Sequence, residues 1–157
     1  MEKNRNRNIY IYLLWCKYLL TFDNEYVILR IKKGIKVFAI IFYKDKNGSS
    51  DIINYLDELQ ERLKTDKNAR VKREKILVYL AALAEYGTRI GKPYVKHIDG
   101  NLWELRPLRD RIFFFYWRED QFVLVHHYLK RSQKTPKKEI EKARKNRKDF
   151  LERSARP

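Results

Sequence analysis

A chain of 157 residues is long enough to bury one core and too short for two domains of ordinary size. Its 44% apolar and 14% aromatic content, with only five Gly and four Pro, excludes a disordered or fibrous protein. The 36 Lys and Arg outnumber the 20 Asp and Glu to leave +16, so the expected partner is a polyanion: nucleic acid, a ribosome, an acidic protein or an anionic membrane.

The first apolar run, IYIYLLWCKYLL, is twelve residues long and broken by Lys17, whereas a spanning helix needs about 20. No small-residue cleavage site follows it, so neither a membrane span nor a signal peptide is expected. Its Cys16 is the one cysteine, which excludes an intrachain disulfide and fits a reducing, cytoplasmic setting. Well-patterned sequence begins near Ile35, so residues 1–34 read as an N-terminal extension and 35–157 as the domain.

IKVFAIIFY (35–43) is a β-branched and aromatic run closed by the turn cluster KDKNGSS, which predicts a buried strand. Ser49, Ser50 and Asp51 can each cap a following helix, in which Ile52, Leu56, Leu59 and Leu63 form one apolar face. A second helix over about 67–86 carries Ile76, Leu80 and Leu83 on one stripe and stops at Gly87. A loop with Gly91 and Pro93 follows, leaving His97 in a loop or edge strand. LWELR (102–106), RIFFFYW (111–117) and QFVLVHHYL (121–129) are then separated by connections short enough for antiparallel hairpins. Thr135 and Pro136 read as N-cap and first residue of a last helix, about 136–153. The expected fold is α+β, a mainly antiparallel sheet of about four strands with two N-terminal helices and one C-terminal helix packed on it.

Strict alternation places Phe122, Leu124, His126 and Tyr128 on one face of the last strand and Val123, Val125, His127 and Leu129 on the other. His126 and His127 are candidates for acid–base chemistry, because imidazole titrates near neutrality; the plainer alternative is a half-buried strand histidine held by a hydrogen bond. Antiparallel pairing would bring Arg106, Arg109 and Arg111 beside Lys130, Arg131 and Lys134 at one sheet edge, where convergent cations can neutralise phosphate. Each of these alone is an ordinary solvated strand end. Together, with Tyr128 and Trp103 available to stack on bases, they suit RNA. Residues 130–157 hold 12 basic and 4 acidic side chains, so the helix starting at Lys137 and Lys138 adds attraction for nucleic acid. No P-loop, GxGxxG, HExxH, CxxC or GxSxG is present, and three histidines with one cysteine lack ligand spacing, so no metal or cofactor is expected.

The ordered segments IIFYKDKNGSSDIINYLDEL, LWELRPLRDRIFFFYW and VLVHHYLKRSQKTPKKEIEKA resemble the phage-derived, HigB-like branch of the RelE/HigB toxin superfamily over roughly residues 36–153. The resemblance implies a RelE-like fold and the toxin of a type II toxin–antitoxin system. The implied activity is that of an mRNA interferase, which cuts mRNA on the ribosome without a metal or cofactor. The implied protein partner is a small helix-turn-helix antitoxin. Carried over by position, it implies catalytic roles for His126, Arg111, Arg106, Lys130 and Lys134 and an RNA contact from Arg131, while Arg109, Tyr128, Lys137 and Lys138 are expected RNA contacts on their charge and stacking alone. The chain departs from RelE proper at Leu102 and Glu104, where lysines stand, and no tyrosine follows Tyr128 to match that of RelE's last helix. The general base is therefore open among His126, His127 and a lysine. From another class, a noncatalytic basic module binding RNA, a ribosome or a partner fits the same charge.

Overall fold

The computed structural model describes residues 18–23, 26–31, 38–118 and 120–155, the first two stretches as backbone. The strands are β1 (Tyr18–Asp23), β2 (Tyr26–Ile31), β3 (Ala39–Phe42), β4 (Val95–Asp99), β5 (Leu102–Leu105), β6 (Asp110–Arg118) and β7 (Gln121–Leu129). The helices are α1 (Asp51–Glu61), α2 (Lys67–Tyr86) and α3 (Lys137–Ser154). The sheet runs β1-β2-β3-β7-β6-β5-β4, antiparallel throughout except where β3 pairs in parallel with β7. Among the described residues the α+β class and the three helices agree with expectation, but the sheet is larger than four strands and mixed.

Two differences account for this. β4, VKHID, lies at the sheet edge with Lys96 and His97 exposed, so it lacks the apolar alternation that marks a strand in sequence. At the other end, β1 and β2 pair in a hairpin that meets β3 through Ile28 opposite Ile41 and Leu29 opposite Ile40. The IYIYLLWCKYLL run lies outside the described residues up to Lys17, and its last three residues open β1. Among the described residues, no helix is long and apolar enough to cross a membrane.

The helices cover both faces of the sheet, which explains the unbroken RIFFFYW run: a strand buried on both sides has no polar face. Phe114 and Ile112 pack with Phe122, Leu124 and the apolar stripes of α1 and α2. Phe113 and Phe115 face the other way, with Val123, Val125 and the α3 residues Ala143 and Phe150. Each such fully buried side chain contributes about 1.5–3 kcal/mol.

The helix ends follow from local chemistry. Ser50 caps α1 by accepting from the Ile53 amide, and Asp66 caps α2 by accepting from Asn68 and Ala69. α1 stops at Glu61, which leaves Leu63 half-buried in the following turn and off the helix face expected for it. Gly87 ends α2 with φ of +61°, and a Cβ there would stand 2.8 Å from the Phe38 ring, so only glycine fits. α3 starts one residue later than predicted. Pro136 is its N-cap and, having no polar side chain, makes no capping bond, while the Thr135 hydroxyl, expected to cap the helix, donates to Glu104.

Candidate functional site

The β6–β7 register sets the site. Asp110 stands opposite Leu129 and Arg111 opposite Tyr128, so the start of β6 lies against the end of β7. The Lys130 amide donates to the Arg109 carbonyl at 2.9 Å, and the Arg109 guanidinium donates back to the Lys130 carbonyl at 3.2 Å. The expected convergence at one sheet edge is therefore present for Arg106, Arg109, Arg111 and Lys130.

Its centre is a residue that sequence reasoning treated only as a departure. Glu104 on β5 is 1% exposed, and four groups meet it. The Nε atoms of Arg106 and Arg111 each lie 3.5 Å from its Oε1. The Tyr128 hydroxyl donates to Oε2 at 3.1 Å and the Thr135 hydroxyl at 3.2 Å. One buried carboxylate thus ties together β5, β6, β7 and the joint before α3. Burying it without these partners would cost several kcal/mol. An acidic residue at an inward position of a short apolar strand, with arginines two and seven residues on, is the signal that could have found it.

The two arginines differ in access. Arg111 is buried, which disfavours its charged form and lowers its pKa, while the Glu104 carboxylate opposes that shift. Its Nη1 donates to the carbonyls of Leu108 (2.9 Å) and Asp110 (2.7 Å), holding the β5–β6 turn. Leu108 sits there at φ +53°, a left-handed conformation that costs a branched residue about 1–2 kcal/mol. Arg106 is half-buried, with its side chain at the rim, and Arg109, Arg131, Lys134, Lys137 and Lys138 are exposed. Tyr128, expected to stack on a base, is instead buried beside Phe113 with its hydroxyl bound to Glu104. Burial pushes that hydroxyl's pKa up to about 12. Trp103 is half-buried against the α1–α2 core and meets His97 edge-on.

His126 lies on the α3 face, not with Phe122 and Leu124 as strict alternation predicts. Phe114 pairs with Leu124 but Phe113 pairs with His126, leaving Val125 as an extra residue. This β-bulge reverses the phase of everything after it. His126 and Tyr128 therefore join Val123 and Val125 toward α3, and His127 turns toward α1. There its ring stacks on Tyr55 at 4.0 Å and its Nε2 lies 2.9 Å from buried Asp110.

The bulge sends His126 into a second charged cluster. Its Nδ1 faces Asp51, the first residue of α1, at 2.6 Å, and its Nε2 faces Glu139, in the first turn of α3, at 2.6 Å. An imidazolium satisfies both carboxylates at once, since only the charged ring donates from both nitrogens. Lys142 adds a contact to Asp51 at 3.7 Å. With 3% exposure and both nitrogens engaged, His126 clamps α1, β7 and α3 together. The third histidine, His97, is exposed on edge strand β4 with Nε2 2.8 Å from the Gly100 carbonyl. Among the described residues, no group of His, Cys, Asp and Glu side chains is arranged to hold a metal ion.

At the open end of this two-faced α+β sheet a cationic rim therefore surrounds one buried carboxylate. The chain belongs to the phage-derived Gp49-like family (Phage derived protein Gp49-like, DUF891), whose model matches residues 54–148, from within α1 into α3. The family is one of RelE-like toxins of toxin–antitoxin systems. No curated protein matches the chain.

Proposed function

We propose that this chain is the toxin of a type II system of the HigB-like branch, a cytoplasmic mRNA interferase that cuts mRNA on the ribosome and is neutralised by a helix-turn-helix antitoxin. The supporting observation is the Glu104-centred convergence of Arg106 and Arg111 beside Arg109 and Lys130. A buried carboxylate that fixes two guanidinium groups prepares them for an anion without reorganisation at the moment of reaction. The domain on this reading is 35–157, with 1–34 an extension.

In the proposed reaction a base removes the proton of a ribose 2′-OH, and the oxygen attacks the adjacent phosphorus. The phosphorane's charge is met by Arg106 and Lys130, backed by Arg111 and Lys134, and the departing 5′-oxygen takes up a proton from water. The products are a 2′,3′-cyclic phosphate and a 5′-hydroxyl. DNA is not cut because it lacks the nucleophile. Arg109, Arg131, Lys137 and Lys138 hold flanking phosphates. His126 acts in this scheme as a positioning residue: through Glu139 it fixes the first turn of α3, which bears Lys137 and Lys138. The base then falls to an exposed lysine of the joint, with the ribosome orienting the strand.

The test is to express the chain, map 5′-hydroxyl ends on cellular mRNA and compare Arg106→Ala. Growth arrest with new ends, absent from the variant, supports the proposal. Soluble wild-type protein that leaves translation intact contradicts it. A second reading, a noncatalytic basic binding module, draws on the engagement of all three histidines by the fold; it predicts salt-dependent RNA binding with no cyclic phosphate.

A further inference from the structure

On the sheet face opposite Glu104, the turn between α1 and α2 and the end of β7 enclose a cavity of about 220 Å³. Its apolar lining comes from Tyr55, Leu59, Ala69 and Leu129, and its polar rim from Arg62, Asn68 and Lys72. Leu129 immediately precedes Lys130, so the cavity adjoins the cationic rim by one residue of chain. Tyr55 is the notable wall. Its ring is stacked on His127 at 4.0 Å and 18°, and His127 is held in turn by buried Asp110. The ring is thereby fixed by its stack on His127, and it also lines the cavity. Burial and the neighbouring Asp110 carboxylate push the Tyr55 hydroxyl pKa up, so the ring is neutral at physiological pH.

We propose that this cavity is a nucleobase subsite for the single-stranded RNA held at the neighbouring rim, with Tyr55 as its stacking wall and Asn68 as the residue that reads the base edge. A pre-fixed aromatic wall in a cationic setting is the chemistry that binds unpaired bases. Asn68 supplies both a donor and an acceptor from one exposed carboxamide, as base-edge recognition needs. Lys72, on the polar rim, supplies a cation for a flanking phosphate. Asp66, the one carboxylate of the lining, is already committed to Arg62 and to the amides of Asn68 and Ala69, so its charge is offset. The ligand class rests on the reading of the chain as an RNA-cleaving toxin, but binding here needs no cleavage.

The experiment is an NMR titration of the full chain with AMP, CMP, GMP and UMP separately, with inorganic phosphate as control. The expected result is movement of the Ala69 and Leu129 amide signals with at least one nucleotide and not with phosphate. Tyr55→Ala should weaken that binding roughly tenfold or more while Tyr55→Phe retains it. Asn68→Ala, at an exposed position, should leave the fold intact and change the ranking of the four nucleotides. Movement confined to Arg106, Arg109 and Lys130, or an equal response to phosphate, overturns the subsite. mRNA cleavage by the wild type alongside no response at Ala69 and Leu129 would sink the subsite alone, whereas nucleotide binding without cleavage would sink only the enzymatic reading.

Discussion

Two charged clusters flank the end of β7, one centred on Glu104 and one on His126, and they differ in what they leave open to an approaching anion. Around Glu104 one carboxylate serves two guanidinium groups, leaving surplus positive charge at an accessible rim. Around His126 two carboxylates enclose one imidazole that is 3% exposed, and each carboxylate also has a lysine beside it, Lys142 at Asp51 and Lys138 at Glu139. A phosphate approaching the first meets attraction and open donors. Approaching the second, it meets Asp51 and Glu139. Donors left accessible at the rim, more than the presence of a histidine, separate a site from a clamp.

The comparison breaks most directly at Glu104. Glu104→Ala strands two arginines and two hydroxyls and should lower unfolding free energy by about 3–5 kcal/mol in chemical denaturation, whereas Glu104→Gln keeps hydrogen-bond capacity and should cost less. Arg106→Ala should cost less stability than Glu104→Ala, because Arg111, Tyr128 and Thr135 still meet the carboxylate, and reduce cleavage per folded molecule on translating ribosomes by roughly 10²–10³, the scale for removing one transition-state donor. His126→Ala should do the reverse, lowering stability by about 2–4 kcal/mol through a cavity and two unbalanced carboxylates, with cleavage per folded molecule falling less than tenfold. A larger fall than Arg106→Ala causes would merge the two clusters into one site. Tyr128→Phe removes one hydrogen bond to Glu104 and should cost about 1 kcal/mol. Because burial raises the Tyr128 pKa from 10.0 to about 12, the neutral hydroxyl is the form the fold favours. Its contribution is therefore complete below pH 10 and declines as pH rises toward 12, which an alkaline melt of wild type against Tyr128→Phe would resolve. The smallest effect belongs to Lys137→Ala with Lys138→Ala, which should lower the slope of log affinity against log salt by about 0.7 for each phosphate no longer neutralised.

The three described helices and the strands β3, β5, β6 and β7 were legible because apolar periodicity, Ser50, Gly87 and short turns mark them in sequence. β4 was not, since an edge strand with exposed Lys96 and His97 buries too little to show a pattern. The convergence of the arginines with Lys130 followed from antiparallel pairing alone. The faces of His126 and His127 did not, because a single extra residue at Val125 reverses alternation and nothing in VLVHHYL marks it. Glu104, Asp51 and Glu139 escaped for a related reason. A carboxylate's burial depends on which strands and helix ends close over it, and those partners lie 31 residues away for Thr135 and 75 for the Asp51–His126 pair.

The central claim is that the Glu104-held rim, and not His126, faces the scissile phosphate. The most direct measurement is end-mapping of reporter mRNA on translating ribosomes with purified wild type, Arg106→Ala and His126→Ala, each normalised to folded protein. The expected pattern is 5′-hydroxyl ends paired with 2′,3′-cyclic phosphates for wild type, near absence with Arg106→Ala and retention with His126→Ala. Full cleavage by Arg106→Ala together with none by His126→Ala would contradict the claim.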